Sequence, residues 1–184
     1  GRRRRCLEEH GVAALTNDLE AKSDLTMHKV NLSTVAADES RSPKGRFRQF
    51  RQDVSAALRQ SNGGQLRGVP CPFEVELVRL PPRAANWPYH SHSAQWEFYM
   101  IVSGRGQVRP PAGHSEVRKG DCLMHPPGEA HQLINTGAVD LIYYVIADNP
   151  PSDVRHYPDS RKHSLPGQAK PVRIQPTELY DGEE

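Results

Sequence analysis

Between His90 and Asn135 the chain carries two short clauses, HSHSAQWEFYMIVSG and GDCLMHPPGEAHQLIN. Together they hold four side chains, His90, His92, Glu97 and His131, that one ion could collect if the fold brought the clauses to a single point. Along a β-strand successive side chains alternate faces, so His90 and His92 share a face and can chelate as a pair. Glu97 lies five residues further on and has the wrong parity for a straight strand. It must arrive from a neighbouring strand after a turn, for which Ser93 to Gln95 are the obvious residues. His131 belongs to a third strand, announced by the turn signal Pro126-Pro127-Gly128.

The donor set narrows the chemistry. Three neutral imidazoles and one carboxylate form an N3O site for a borderline divalent transition metal, with Fe, Mn, Zn, Ni, Co and Cu all compatible. Four protein ligands leave two positions of a six-coordinate ion for water, substrate or dioxygen. A closed structural zinc site is usually tetrahedral and thiolate-rich, so this set points to reactivity. The three cysteines, Cys6, Cys71 and Cys122, are far apart, form no CxxC and leave one unpaired under any bridging scheme. A reducing, cytoplasmic location follows, with Cys122 expected as a buried core thiol.

Composition enters where fold class is at stake. Hydrophobic residues make up 36% of 184 positions, with 16 Pro and 14 Gly, which favours one loop-rich β domain with tails over a helical bundle. Strands are predicted over FEVELVRL (73–80), WEFYMIVS (96–103), GQVRP (106–110), HSEVRKG (114–120), DCLMHP (121–126), HQLIN (131–135) and VDLIYYVIA (139–147), separated by Gly and Pro turns. Short strands with frequent turns argue for a sandwich or barrel.

Upstream, Ser42 as N-cap and Pro43 at the first turn open a predicted amphipathic helix. Phe47, Phe50, Val54, Ala57 and Leu58 form its apolar face and Gly63-Gly64 end it. The expected organisation is a flexible extension over 1–41, with Met27 as a candidate true start, a helix region over 42–67, a barrel over 68–147 and an extended C-terminal arm over 148–184. Leu7, Val12, Leu15 and Leu19 give only a loose helical spacing.

No run of about 18 apolar residues occurs, so no membrane-spanning helix is expected. The net charge of +2 hides a basic excess in residues 1–60, 12 Lys/Arg against 8 Asp/Glu. An RRRR run near the start could grip phosphates, but it has no aromatic or Gly-rich context, and nucleic acid is disfavoured as a partner.

The clauses also carry a resemblance. His90-x-His92-x4-Glu97-x6-Gly104 resembles the first cupin motif, and Gly120-x5-Pro126-x-Gly128-x2-His131-x3-Asn135 resembles the second with every defining residue present. One departure is Ala84, where the family pattern has a turn glycine six residues before the first histidine. The resemblance covers residues 68–147 and is similar to that of small single-domain microbial cupins. It implies an all-β fold, the double-stranded β-helix or jelly-roll barrel, with the metal inside one mouth held by His90, His92, Glu97 and His131. Pairing of two copies through an exposed sheet, a homodimer, is a further implication.

Three more residues are candidates for catalysis. On the Glu97 strand, parity sends Tyr99 and Ile101 toward the pocket, and Tyr99 could orient or protonate a substrate. His125, just before the Pro-Pro turn, is a rim residue or proton shuttle. Arg79 shares its face with Phe73, Val75 and Leu77; projecting inward it would favour a carboxylate or phosphate substrate, and a strand-end arginine reaching solvent is the alternative. Trp87 and Trp96 read as wall, and His114, His156 and His163 as surface. The expected function is a metal-dependent enzyme on a small polar metabolite, with dioxygenase-like chemistry slightly ahead of isomerase, decarboxylase or lyase chemistry. A small-ligand binding or sensor module is the alternative.

Overall fold

The computed structural model describes residues 27–184. The RRRR run, Cys6 and the Leu7–Leu19 spacing lie outside the described residues. Twelve strands follow in order: β1 (Asp38–Arg41), β2 (Arg48–Asp53), β3 (Phe73–Leu80), β4 (Ser91–His92), β5 (Glu97–Ser103), β6 (Arg105–Val108), β7 (Ser115–Arg118), β8 (Cys122–His125), β9 (Leu133–Ile134), β10 (Leu141–Asp148), β11 (Arg155–Tyr157) and β12 (Lys162–Ser164). One α-helix, α1 (Val54–Gln60), sits between β2 and β3. A six-stranded antiparallel sheet has the order β1-β2-β3-β10-β5-β8, and two three-stranded sheets have the orders β12-β11-β4 and β7-β6-β9. This is the all-β jelly roll expected from the sequence.

The large sheet explains where polar and apolar side chains go. Its register aligns Glu74, Ala147, Glu97 and His125 across β3, β10, β5 and β8. The next inward rank is Glu76, Val145, Tyr99 and Leu123, and the one below is Val78, Tyr143 and Ile101. Leu80 pairs with Leu141 at the far end. Because side chains two apart share a face, these ranks line one interior that grades from charged to apolar. The apolar end, with Val78, Leu80, Ala84, Tyr99, Ile101, Val108, Val117, Leu133, Leu141, Tyr143 and Val145, is the core.

Register corrects the sequence expectation for β3. The alternation in FEVELVRL has two faces, and the structure turns Glu76, Val78 and Leu80 inward while Phe73 is 52% exposed. Arg79 therefore lies on the outer face. It pairs with Asp140 at 2.9 Å and its guanidinium lies 3.9 Å from the Phe50 ring centroid. The solvent-facing alternative holds and the inward projection does not, because Glu74 and Glu76 supply the polar inner edge.

The predicted helix over 42–62 is half strand. Residues 48–53 add to the edge of β3, with Phe50 opposite Arg79 and Asp53 opposite Glu76, and bury Gln49 almost completely. Apolar spacing that fits a helix fits a half-buried strand less well, but an open sheet edge offers a full ladder of hydrogen bonds. Ser42 does not cap a helix. Its N–H donates to Phe47 O (2.8 Å) and its Oγ accepts from Phe47 N (3.2 Å), closing the β1–β2 hairpin. Asp53 caps α1 instead, accepting from Ala56 N at 2.7 Å. The N-terminal extension expected over 1–41 thus contains strand β1, and the C-terminal arm contributes β11 and β12, with β11 pairing β4.

Two turn positions bear on the motifs. Gly104 has φ +83°, and a Cβ there would stand 2.4 Å from Asp140 O, so only glycine joins β5 to β6 in this way. At the departure from the family pattern, the left-handed residue is Arg83 (φ 67°), and Ala84 packs into the core with 5% exposure. No glycine is required at 84. Cys122 is exposed, contrary to the expected core thiol, because β8 turns Leu123 and His125 inward. No helix among the described residues is long and apolar enough to cross a membrane.

Candidate metal centre

The two clauses meet through backbone pairing. His90 and His131 form an isolated antiparallel bridge, with His131 N–H donating to His90 O at 2.8 Å and His90 N–H to His131 O at 3.2 Å. Their ring centroids lie 4.9 Å apart. His92 follows on β4, and its carbonyl accepts from Gly128 N at 2.7 Å, fastening the Pro-Pro-Gly turn to the first clause. Glu97 opens β5 after the Ser93–Gln95 turn, as parity demanded.

Each histidine is oriented by its outer nitrogen. A carbonyl has no proton to give, so His90 Nδ1–H donates to Pro88 O (2.9 Å) and His131 Nδ1–H to Glu129 O (3.2 Å). His92 Nδ1 faces Asp153 Oδ2 at 2.6 Å. The three Nε2 atoms are left for the interior. Ligand atoms of His90, Glu97 and His131 lie within 4.8 Å of one another. His92 Nε2 is 3.8 Å from Glu97 Oε1, is buried and has no hydrogen-bond partner. A buried lone pair without a partner is costly unless something binds it, and together with the N3O donor set this fits a divalent ion.

The electrostatics suit the same reading. Burial, reinforced by the neighbouring His131 imidazole, lowers His90 to about 3, so its ring is a neutral ligand at physiological pH. Burial alone would raise Glu97, but the hydrogen bond from His131 and the surrounding imidazoles bring it to about 2. His131 Nε2 lies 2.7 Å from Glu97 Oε2, a spacing that a shared cation, proton or metal, satisfies. Tyr99 OH donates to the same Glu97 oxygen at 3.1 Å. Burial pushes the Tyr99 phenol up, so it remains a donor.

The open pocket above the donors has a volume of about 120 Å³ and is lined by His90, His92 and Glu97 with Arg51, Glu74, Glu76, Trp87, Gln95, Val145, Ala147 and Arg155. Arg51 makes a two-pronged contact to Glu76 through Nε and Nη2. Glu74 is raised by burial and by Glu76 and Asp53. A larger groove of about 680 Å³ on the β6–β7 hairpin contains none of the four donors.

Of the residues singled out from sequence, the structure groups the ligand atoms of His90, Glu97 and His131, and His92 lies outside that group with its Nε2 3.8 Å from Glu97 Oε1. Tyr99 and His125 stand behind them rather than in the open pocket, and Arg79 is on the opposite face of the sheet. His125 is buried and stacked on His131 with centroids 3.9 Å apart; its Nδ1 lies 3.3 Å from Glu129 and its Nε2 has no partner. His156 and His163 are half-buried and stack across β11 and β12 at 4.7 Å, rather than lying free on the surface. Trp87 lines the pocket and Trp96 does not. Sequence reasoning missed Asp153, Glu74, Glu76, Arg51 and Arg155. The alternation of β3 held a signal for the glutamates; nothing local marked Arg51, Asp153 or Arg155.

Asn135, the last residue of the second clause, is structural. Fully buried, it donates to Leu80 O and Val139 O and accepts from Gly137 N.

A jelly-roll barrel with histidines and a glutamate converging inside one mouth defines a class of small β-barrel proteins with a candidate metal site. Residues 76–147 match the family model described as "Cupin domain", so this segment of the chain is a cupin-type barrel. It is similar to an oxalate-binding protein of Thermotoga maritima, 29% identical over 69 residues, which is 38% of this chain and 56% of that protein. The chain thus spans about half the length of the curated relatives it matches. Among solved structures it resembles a sugar phosphate isomerase from the cupin superfamily of Silicibacter pomeroyi, with a TM-score of 0.65 and 23% identity over 82% of this chain and 97% of that one. A predicted oxalate decarboxylase from Thermotoga maritima superposes with a TM-score of 0.54 and 19% identity, over 66% of this chain and 99% of that one. At these identities the structural likeness establishes the fold alone.

Proposed function

We propose that the protein binds one divalent transition metal through His90, His92, Glu97 and His131 and acts as an enzyme on a small polar metabolite. The observation that carries this reading is the buried, unpartnered His92 Nε2 facing Glu97, in a cluster whose outer nitrogens are anchored to oxygen acceptors. A bound divalent ion supplies Lewis acidity toward a carbonyl or hydroxyl oxygen or, if redox-active, a site for dioxygen. The chain's own residues define what enters. The pocket is small beside the roughly 300–1,000 Å³ of drug-sized ligand sites, and the carboxylates of Glu74, Glu76 and Glu97 outnumber the guanidiniums of Arg51 and Arg155. That balance supports a compact substrate of low charge over a phosphorylated sugar. Tyr99 holds the Glu97 carboxylate, and Glu74 is the pocket carboxyl most disposed to keep a proton. Dioxygenase-like chemistry leads isomerase, decarboxylase and lyase chemistry on this reading.

The test is metal quantification on protein purified without an affinity metal, followed by oxygen-uptake and isomerisation assays over a panel of small hydroxy acids, keto acids and sugars. Stoichiometric metal with turnover on any member is the expected result. Ligand binding without metal and without turnover would instead support a sensor module.

Two further proposals concern the setting. The outer face of the large sheet exposes Phe73, Met100, Met124 and Ile146, which supports a homodimer. Sedimentation at the mass of a single 20.6 kDa chain would refute it. Among the described residues Cys71 and Cys122 are free thiols, which supports a cytoplasmic setting.

A further inference from the structure

Asp153 lies outside the family-matched segment, between β10 and β11, yet its carboxylate touches the metal centre at close range. Oδ2 lies 2.6 Å from His92 Nδ1. Oδ1 accepts from Ala94 N (3.0 Å), Gln95 N (3.3 Å) and Ser93 Oγ (3.4 Å). The segment is held in place from the other side too, since Ser93 N–H donates to Val154 O at 3.0 Å and Val154 N–H donates to Ser93 Oγ at 2.8 Å. The two carboxylate oxygens therefore have different and non-exchangeable duties. One gathers the turn that separates His92 from Glu97, and the other faces the imidazole.

We propose that Asp153 is a positioning residue for the metal centre: its carboxylate sets the tautomer of His92, so that Nδ1 carries the proton and Nε2 presents a lone pair to the ion. The proposal rests on the reading of His90, His92, Glu97 and His131 as metal ligands. An ionised carboxylate only accepts hydrogen bonds, so the nitrogen it faces must be the protonated one. The opposite nitrogen is then the buried Nε2 that lacks a partner. The metal site is in this sense completed by the C-terminal arm, not by the barrel alone.

The geometry yields a test that separates positioning from mere support. In Asp153→Asn the backbone N–H groups of Ala94 and Gln95 still demand an acceptor, so the amide oxygen must take the Oδ1 place. The amide NH₂ then faces His92 Nδ1 and requires a lone pair there. His92 is driven into the other tautomer, with a proton on Nε2 pointing at the ion's place. Asp153→Ala removes the turn's acceptor but leaves His92 free to choose. Cobalt(II) chloride is titrated calorimetrically into metal-free wild type and both variants, with thermal melting recorded alongside. Asp153→Asn is expected to lose about 10–100-fold in cobalt affinity while melting near the wild-type temperature. Asp153→Ala is expected to melt lower and lose less affinity. A purely structural role predicts the reverse order, and that order, or wild-type affinity in Asp153→Asn, overturns the proposal. Long-range ¹H–¹⁵N spectra of the metal-free proteins supply a second readout, with His92 protonated at Nδ1 in wild type and at Nε2 in Asp153→Asn. Wild-type His92 protonated at Nε2 also overturns it. Should wild type take up no cobalt, the metal reading itself fails, and the His92 tautomer alone decides the role of Asp153.

Discussion

The two ends of the barrel interior are built on the same strands and obey opposite rules. At the closed end, Leu80, Leu133 and Leu141 are fully buried among aliphatic neighbours, and the polar side chains beside them, Asn86 and Asn135, are satisfied by backbone partners. At the mouth, further along β3 and β5, the same inward parity delivers Glu74, Glu76 and Glu97, with His90, His92 and His131 beside them. The first end stabilises by excluding water. The second concentrates donors whose desolvation opposes folding until a cation or substrate offsets it. The difference teaches that strand alternation specifies which residues meet, while the identity of each rank specifies what the meeting is for.

The comparison breaks most sharply when the closed end is opened. Leu133→Ala is expected to cost about 2–5 kcal/mol in chemical denaturation, as transfer and cavity terms add, while changing metal affinity by no more than a few-fold. His92→Ala should do the converse, losing at least about a hundredfold in calorimetric metal affinity with a much smaller stability change. Finding both variants equally unstable would mean that the ends are not energetically distinct.

A smaller effect sharpens the contrast through pH. With metal removed, burial and then the neighbouring His131 imidazole hold His90 at about 3 and His125 at about 4, below the ordinary histidine value of about 6.5. The unfolded chain therefore binds more protons than the folded one below about pH 6.5. Stability is complete above that value and declines as pH falls toward 4 and then 3, by up to about 1.4 kcal/mol per pH unit for each group. Glu97, lowered to about 2, adds a loss of the same sign below about pH 4.5. Melting temperatures of the chelator-treated protein between pH 8 and 5 check this, and a flat profile between 7 and 5 would contradict it.

Much of the fold was legible because its signals are local. Seven strand segments between residues 73 and 148 were visible from alternation and turn residues, and the two clauses named four candidate donors, of which strand parity and a turn suffice to bring His92 and Glu97 together. What was not legible depends on pairing across long separations. Phe47 and Phe50 carry helical spacing, and only the open edge of β3 makes residues 48–53 a strand. The face of β3 was misjudged because apolar Phe73, Val75 and Leu77 look like core. Val78 and Leu80 are the buried pair, and the mouth places glutamates where a barrel floor would have leucines. Asp153 could not be found at all from spacing, since its partner lies 61 residues earlier.

The edge strand β2 has one more consequence. The two cations that face the pocket, Arg51 and Arg155, both come from segments that flank the matched domain, one before it and one after. The entrance cations and the donor clauses thus sit on separate segments: substitutions at Arg51 or Arg155 can retune the charge a substrate meets while the donor clauses stay unaltered.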